Sequence, residues 1–430
     1  MSDYLFLMES RLSPQQWQAV GLVEKAAAAI GVNIYLAGGA IRDLIAGLPI
    51  DDLDFVIEGK PAKLARELVK RDAELIAESE ALQTAELELP GGINASLAMA
   101  HTETRAKSGA MVVTPSAIVA DLKRRDFAMN AIAVSFTPNS RGLLLDPSNG
   151  VADVEKREIR SLSNYCFLDD PVRLIRAVRF RVRLGFTLDQ RTASQYQNAL
   201  ESNALEQASG ESLAQEIRHW AREPKPVELL KALDKEKLLP AISAKLKGAT
   251  IDWALIAKIN KAALTLSFLG LRAPSFPLFL RIITRKLSSA ERASLHKRLQ
   301  LKASEAAQPD KTEAAAKKLS RELAGSHGNT ATKAFQLLAK ATPDQMLLLL
   351  AGYPVGTPAK VQNRLRNYIE KHLPLRSQLP LAEIVAKGVP AGSPRLQKIL
   401  DAYFFALIEG DLRTPLQQQK HLDKLIAQIK

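Results

Sequence analysis

The chain has 430 residues, 24% charged and 47% hydrophobic. At about 100–200 residues per domain that allows two to four cored domains, and it excludes disordered, collagen-like and disulfide-scaffold classes. The single cysteine, Cys166, cannot close an internal disulfide or build a cysteine zinc site, which fits a reducing, cytoplasmic setting. The opening MSDYLFLMESRLS lacks the basic stretch and long apolar core of a signal peptide. No apolar run approaches the roughly 20 residues of a membrane span, Gln345–Tyr353 being among the longest.

The formal net charge of +13 is unevenly placed. Residues 241–430 hold 30 Lys and Arg against 13 Asp and Glu, a net of +17, while residues 1–240 hold 29 against 33, a net of −4. Such asymmetry suits a chain that holds a polyanion with one region and does chemistry with another, although a solubilising helical surface carries the same signature. The basic residues are spread out rather than gathered in a tail, which favours an extended docking face.

In chain order, the first 30 residues read as a helical lead-in. NIYLAGG is a short strand running into a Gly-Gly turn, AIRDLIAGL a helix, DLDFVIEG a second strand and PAKLARELVKRD a helix. Residues 82–100 predict a hairpin turning at Pro90-Gly91-Gly92, and His101 to Pro115 a flexible loop. DLKRRDFAMNAIAVSF predicts a helix passing into a strand, and LLLDPSNG a strand and turn. Alternating β and α elements over residues 1–150 predict one mixed-sheet domain. Beyond it the pattern is helical. PVRLIRAVRFRVRLGF sets Leu174, Val178 and Val182 at i, i+4 and i+8 and stops at Gly185. Prolines 224, 226, 240, 274 and 277 punctuate later helices, Lys302–Lys318 reads as a solvated helix or linker, and no fixed-period repeat is present.

Three segments carry chemistry. In LAGGAIRDLIAGLPIDDLDFVI (36–57), Asp52 and Asp54 are two apart, so on a strand they share a face. Two such carboxylates can hold one or two Mg²⁺ ions while leaving positions for phosphates. Gly38 and Gly39 bring backbone N–H groups to a helix start that favours a polyphosphate, and Arg42 lies one turn in, able to add charge-assisted bonds. An Asp-x-Asp alone is equally an ordinary acidic turn; the glycines and arginine make the combination informative. In DLKRRDFAMNAIAV (121–134), Arg125 is placed to reach a triphosphate or ribose, with Asp126 and Asn130 holding the geometry; alternatively Asp126 is an N-terminal charge favoured by a helix dipole. In DDPVRLIRAVRF (169–180), Asp170 and Arg173 are three apart at a helix start, with Arg176 and Arg179 continuing the step. They are either a plain i,i+3 ion pair or an imitation of a base-pairing edge. In the second case a carboxylate accepts from the amino group of cytosine or adenine and an arginine donates to the neighbouring ring acceptor.

In this order and spacing, GGAIRD–DDLD, DLKRRDFAMNAIA and DDPVRLIRAVRFRVRLGF resemble the class II tRNA nucleotidyltransferases, the bacterial CCA-adding enzymes and their poly(A) polymerase relatives. The resemblance covers residues 30–240 well and 388–414 more loosely, with 245–380 placed by position. It implies an α+β fold. A polymerase-β-like nucleotidyltransferase head with a mixed sheet (1–150) would precede an all-helical neck (151–245), body (246–350) and tRNA-binding tail (351–430). The implied activity is addition of C, C and A to tRNA 3′ ends from CTP and ATP without a nucleic-acid template, with Mg²⁺ as cofactor. Residues matching Asp52 and Asp54 would hold the metals, those matching Gly39, Arg42 and Arg125 would contact the nucleotide, and those matching Asp170, Arg173, Arg176 and Arg179 would line its pocket. The chain departs from the family pattern at Asp169, where Glu is usual, at His101, which replaces an arginine, and at Ser96, which replaces an acid. These departures leave open CC-only or A-only addition, a poly(A) polymerase, and a non-catalytic tRNA-binding relative.

Overall fold

The computed structural model of the chain describes residues 3–50, 52–80, 82–105, 111–267, 274–353 and 356–429. It divides into two compact units, Met1–Ala208 and Ser209–Lys430. The first is α+β and the second helical, as the sequence pattern predicts.

The lead-in forms two helices, α1 (Asp3–Arg11) and α2 (Pro14–Ile30). Ser13 starts α2 with a capping box closed by Gln16, and Gly31 ends it in the left-handed region. Strand β1 (Asn33–Ala37) leads into α3 (Gly39–Ala46), and β2 (Leu53–Glu58) into α4 (Pro61–Val69). Then follow β3 (Glu74–Ser79), β4 (Thr84–Leu89), β5 (Ile93–Met99), β6 (His101–Arg105) and β7 (Met111–Pro115). After α5 (Ile118–Lys123) come β8 (Ala133–Ser135) and β9 (Leu144–Leu145). Seven strands make one sheet in the order β3-β4-β5-β2-β1-β8-β9. The pair β2–β5 is parallel, and the other neighbours are antiparallel.

Strand periodicity sorts β2 into two faces. Leu53, Phe55 and Ile57 are buried on one, where α2 and α4 supply Val20, Val23, Leu64 and Leu68 to the core. Asp54, Val56 and Glu58 fall on the other. There Val56 joins Tyr35, Ala37, Ile118, Leu122 and Ala133 in an apolar cluster that seats α5 on the sheet. Glu58 fixes the start of that helix, its Oε1 accepting from Ile118 N at 2.8 Å, the favourable place for a carboxylate. The face that carries Asp54 thus also positions the arginines that follow α5.

Two sequence expectations change here. The stretch 121–134 is not a continuous helix into a strand. The helix stops at Lys123, a single 3₁₀ turn occupies Ala128–Asn130, and the strand begins at Ala133. Asp126 therefore stands between two helical turns rather than at a helix entrance. Its side chain accepts from Phe127 N at 2.7 Å and from Asn130 Nδ2 at 3.0 Å, a local alternative that competes with helix continuation. The loop expected over 101–115 is an antiparallel hairpin, β6 with β7, pairing His101 with Pro115 and Arg105 with Met111; residues 106–110 lie outside the described residues. Strand β3, whose residues are mostly exposed, was not expected from the sequence.

The rest of this unit is α6 (Gly150–Lys156), a short parallel pair of β10 (Glu158–Ile159) with β11 (Thr187–Leu188), and the helices α7 (Cys166–Asp169), α8 (Val172–Leu184) and α9 (Gln190–Glu201). Helix α8 ends at Gly185 in the left-handed region, with Leu174 and Val178 buried and Val182 half-exposed.

In the second unit, prolines at helix starts rather than helix breaks explain much of the proline punctuation, as in Pro226–Lys235, Pro343–Ala351, Pro394–Glu409 and Pro415–Gln428. The apolar run at Gln345–Tyr353 falls mostly in the buried helix Pro343–Ala351, and Lys302–Lys318 in the helix Ala303–Ala324. That helix has Pro309 inside it and Thr312, Ala316, Leu319 and Leu323 on a buried face, so it is a packed element rather than a linker. Among the described residues no helix is long and apolar enough to cross a membrane.

Candidate active site

The residues expected to hold metal and phosphate come together where β1, α3, β2 and β5 meet. Gly38 takes φ +72°, which frees the chain to turn from strand to helix at once. Its N–H donates to Ile132 O at 3.0 Å, so the amide expected to face a phosphate is already used at Gly38. Gly39, the first helical residue, occupies a position whose N–H has no intrahelical partner. A Cβ placed on Gly39 would stand 3.6 Å from Arg42 Nη2 and 3.9 Å from Asp54 Oδ2, and one on Gly38 would meet Arg125 Nη1 at 2.8 Å. Five of the sequence-predicted site residues, Gly38, Gly39, Arg42, Asp54 and Arg125, therefore meet at this turn from three different chain segments.

Asp54 is half-buried, and its Oδ1 accepts from Ser96 Oγ at 2.6 Å across the parallel pair β2–β5. Burial pushes its carboxyl above the usual range; the Ser96 bond and the charges of Arg125 and Arg42 oppose the rise, and neighbouring Asp52 adds to it. Asp52 sits just before β2 and is also half-buried. This donor set suits a hard divalent cation: two carboxylates side by side, one kept from ordinary ionisation by burial and by its neighbour's charge. Among the described residues no three His, Cys, Asp or Glu side chains gather in a fully protein-built metal cage.

Arg42 is almost fully buried. Its Nε and Nη2 bond Asp43 Oδ1 at 2.8 Å, its Nη1 donates to Asn130 Oδ1 at 2.8 Å, and its guanidinium lies 5.0 Å over the Phe180 ring. Burial lowers its affinity for the proton, and Asp43 works against that. Its donors are thus already engaged, and it braces the turn. Arg125 is held by Asp121 Oδ2, at 3.1 Å from Nη2, and by Asn130 O, at 3.0 Å from Nη1. Asp121 was not singled out in the sequence, yet it organises this corner: its other oxygen accepts from Arg124 Nη2 at 2.8 Å and from His101 N at 3.3 Å. The i+3 and i+4 spacing of Arg124 and Arg125 from Asp121 was the available signal.

The residues expected to face the base lie at the start of α8 and just before it. Arg173 Nε is 3.4 Å from Asp170 Oδ2, and Arg173 Nη1 reaches Cys166 Sγ at 3.7 Å. The expected pair is therefore formed, at a helix start where Arg173 N donates to Asp170 O at 3.0 Å. Arg176 turns away to Asp126, Nη1 to Oδ2 at 3.0 Å. Arg179 is buried, its guanidinium 4.7 Å over Phe180. Burial would push the Asp126 carboxyl up, but Arg176, Asn130 and Arg173 outweigh it and hold it at about 2. The Cys166 thiol, pushed up to about 11 by burial, is a packing group and not a nucleophile.

A closed ring of polar contacts joins the two groups of residues. Arg176 of α8 binds Asp126, which binds Asn130, which binds Arg42, which binds Asp43. Asp43 Oδ2 returns to α8 at Arg183 Nη2, 3.4 Å away. His101 stands apart on β6, its ring nitrogens near Met99 O at 2.8 Å and Glu103 Oε1 at 3.1 Å, with Arg124 beside it.

Comparison with known proteins agrees with this architecture. Residues 34–160 match the family described as "Poly A polymerase head domain". An A-adding tRNA nucleotidyltransferase of Aquifex aeolicus is 35% identical over 212 residues, covering 49% of this chain and 26% of that protein. One of Halalkalibacterium halodurans is 34% identical over 238 residues, covering 54% and 56%. The chain thus spans only about a quarter to a half of these curated relatives. A solved CCA-adding enzyme in an apo form superposes with a TM-score of 0.54 at 22% identity, over 98% of both chains, a likeness of fold. Residues 34–160 thus match that head domain, and the chain as a whole shares the fold of a CCA-adding enzyme.

Proposed function

We propose that the chain is a CCA-adding tRNA nucleotidyltransferase, joining C, C and A to the tRNA 3′ end from CTP and ATP, without a nucleic-acid template and with release of pyrophosphate. The convergence of Asp54, Gly39, Arg42 and Arg125 on one strand-to-helix turn carries this reading. The head's family generally works with divalent metals; here we take Mg²⁺, held by Asp52 and Asp54. Divalent ions at such carboxylates supply activation of the attacking 3′-hydroxyl and neutralisation of charge on the departing phosphates. Gly39 offers the helix start to the triphosphate, with Arg125 beside it, and Gly38 and Arg42 hold the turn in shape. Asp170 and Arg173 read the incoming base, accepting from an amino group and donating to the adjacent ring acceptor. Half-buried Arg176 and buried Arg179 anchor the reading helix. The division at residues 150, 245 and 350 into head, neck, body and tail, the grip of the basic second half on tRNA phosphates and a cytoplasmic location belong to the same proposal.

A second reading, A-only addition, is favoured by the Aquifex and Halalkalibacterium relatives, both named A-adding. Incubating tRNAs that end in the discriminator base, in -C or in -CC with each labelled nucleoside triphosphate separates the two. Full addition extends all three to -CCA. An A-adder uses only the -CC form and ATP. RNA binding with no Mg²⁺-dependent incorporation would leave a tRNA-binding relative and end the enzymatic reading.

A further inference from the structure

Beside the Asp170–Arg173 pair, two apolar side chains stand out into solvent. Tyr165 is 64% exposed and Leu168 55%, while Cys166 and Phe167 between them are buried. The one-turn helix α7 produces this arrangement: Leu168 N and Asp169 N both donate to Tyr165 O, at 2.9 and 2.8 Å, and residues three apart share a side. The inward side is firmly seated. Phe167 packs against Phe127 and Tyr196 with ring centroids 6.2 and 5.4 Å away, and Cys166 Sγ accepts from Arg173. The outward aromatic is therefore mounted on a rigid base one helical turn from the base-reading pair.

Its polar rim is mixed in a useful way. The exposed guanidinium of Arg191 donates to Asn164 Oδ1, the residue before Tyr165. Exposed Asp169 and half-exposed Asp170 close the other side. A cation for a phosphate, carboxylates for base amino groups and an aromatic face between them is the equipment of a single-strand RNA contact. Small-ligand sites enclose most of their ligand, whereas Tyr165 and Leu168 project, which suits the end of a strand passing over the protein.

We propose that Tyr165, backed by Leu168, is the stacking platform for the 3′-terminal base of the RNA that receives the nucleotide. The inference rests on the nucleotide-addition reading above and adds a contact to the acceptor rather than to the incoming triphosphate.

The test uses the full chain and a hairpin RNA whose 3′-terminal base is 2-aminopurine, with no nucleotide present, alongside steady-state addition to unlabelled tRNA. Stacking on Tyr165 quenches the fluorophore. Tyr165→Ala is expected to lose that quenching and to raise the KM for tRNA roughly 5- to 100-fold, the range measured for removing one stacked base contact. The KM for CTP and ATP should stay unchanged. Tyr165→Trp and Tyr165→Phe should retain both quenching and KM, and Leu168→Ala should fall between. Unchanged quenching in Tyr165→Ala overturns the proposal. So does a change in the nucleotide KM as large as that in the tRNA KM, which would move the aromatic to the incoming base. If the wild-type chain quenches the probe but adds no nucleotide, the enzymatic reading fails while Tyr165 keeps its RNA. If it adds nucleotides and Tyr165→Ala does so with wild-type constants, only this inference falls.

Discussion

Ser96 Oγ donates to Asp54 Oδ1 at 2.6 Å, from a strand that pairs in parallel with β2 and sets these two residues directly opposite. The hydroxyl sits where a third carboxylate would crowd the site with charge, and it lowers the cost of keeping Asp54 ionised. Ser96→Ala should raise the Asp54 carboxyl further. The acidic limb of the pH–rate profile should then move to higher pH, and Mn²⁺ affinity at neutral pH, read by electron paramagnetic resonance, should fall. Ser96→Asp should bind Mn²⁺ more tightly than wild type. Identical affinities in all three proteins would remove Ser96 from the site.

Asp54→Asn separates chemistry from stability. Incorporation should drop by at least about a thousandfold, since removing one well-placed charge-stabilising group costs about 10²–10³ and here the proposed cation ligand goes too. RNA binding should persist. Because the Asp54 carboxyl is raised in the folded chain, the unfolded chain prefers its ionised form, so Asp54 costs stability above pH 3.8 and that cost vanishes as it protonates. Metal-free Asp54→Asn should therefore melt at or above the wild-type temperature at pH 7. Clear destabilisation at neutral pH would contradict this electrostatic picture.

Base selection should reside in Arg173. A well-oriented edge contact is worth about 1–3 kcal/mol of discrimination. Arg173→Ala should accordingly narrow the preference for CTP and ATP over UTP and GTP by roughly 10- to 100-fold, measured as ratios of kcat/KM. An unaltered preference would assign base reading elsewhere.

The two glycines of the turn should respond differently. Gly38→Ala forces a side chain into φ +72° and pushes against Arg125 Nη1 at 2.8 Å, whereas Gly39→Ala meets Arg42 and Asp54 only at 3.6 and 3.9 Å. Strain at a left-handed residue costs about 1–2 kcal/mol. Gly38→Ala should lower both melting temperature and activity, and Gly39→Ala should lower activity with a near-wild-type melting curve. Equal melting losses would show that the turn is less tightly fitted.

Asp126 should matter most for stability toward acid. Its folded carboxyl is held at about 2 against 3.8, so its contribution is fully present above pH 3.8 and is lost as pH falls toward 2. That contribution is about 2 kcal/mol. Urea titrations of wild type and Asp126→Asn should differ at pH 6 and converge near pH 2. A gap that persists in acid would assign the loss to packing rather than to charge.

Much of this site is legible in the chain itself. Strand–Gly-Gly–helix, the Asp-x-Asp spacing and the Asp170–Arg173 step are local patterns, and local geometry places them as expected. Residues 121–134 were misjudged because periodicity sees the apolar Phe127, Met129 and Ile132 but not the side-chain bonds of Asp126 that end the helix. Strand β3 was missed because its residues are exposed and lack an alternating signal. The engagements of Arg42 with Asn130, Arg176 with Asp126 and Arg183 with Asp43 join positions 50 to 140 apart, which spacing cannot reveal.

Clamping α8 through Arg176 at one end and Arg183 at the other ties the helix that opens at Asp170 and Arg173 to the turn of Gly39 and Arg42. On the proposed reading, a switch between pyrimidine and purine made by sliding that helix would break its bonds to Asp126 and Asp43. On that reading the alternation falls to rotations of Asp170 and Arg173, with the frame held still.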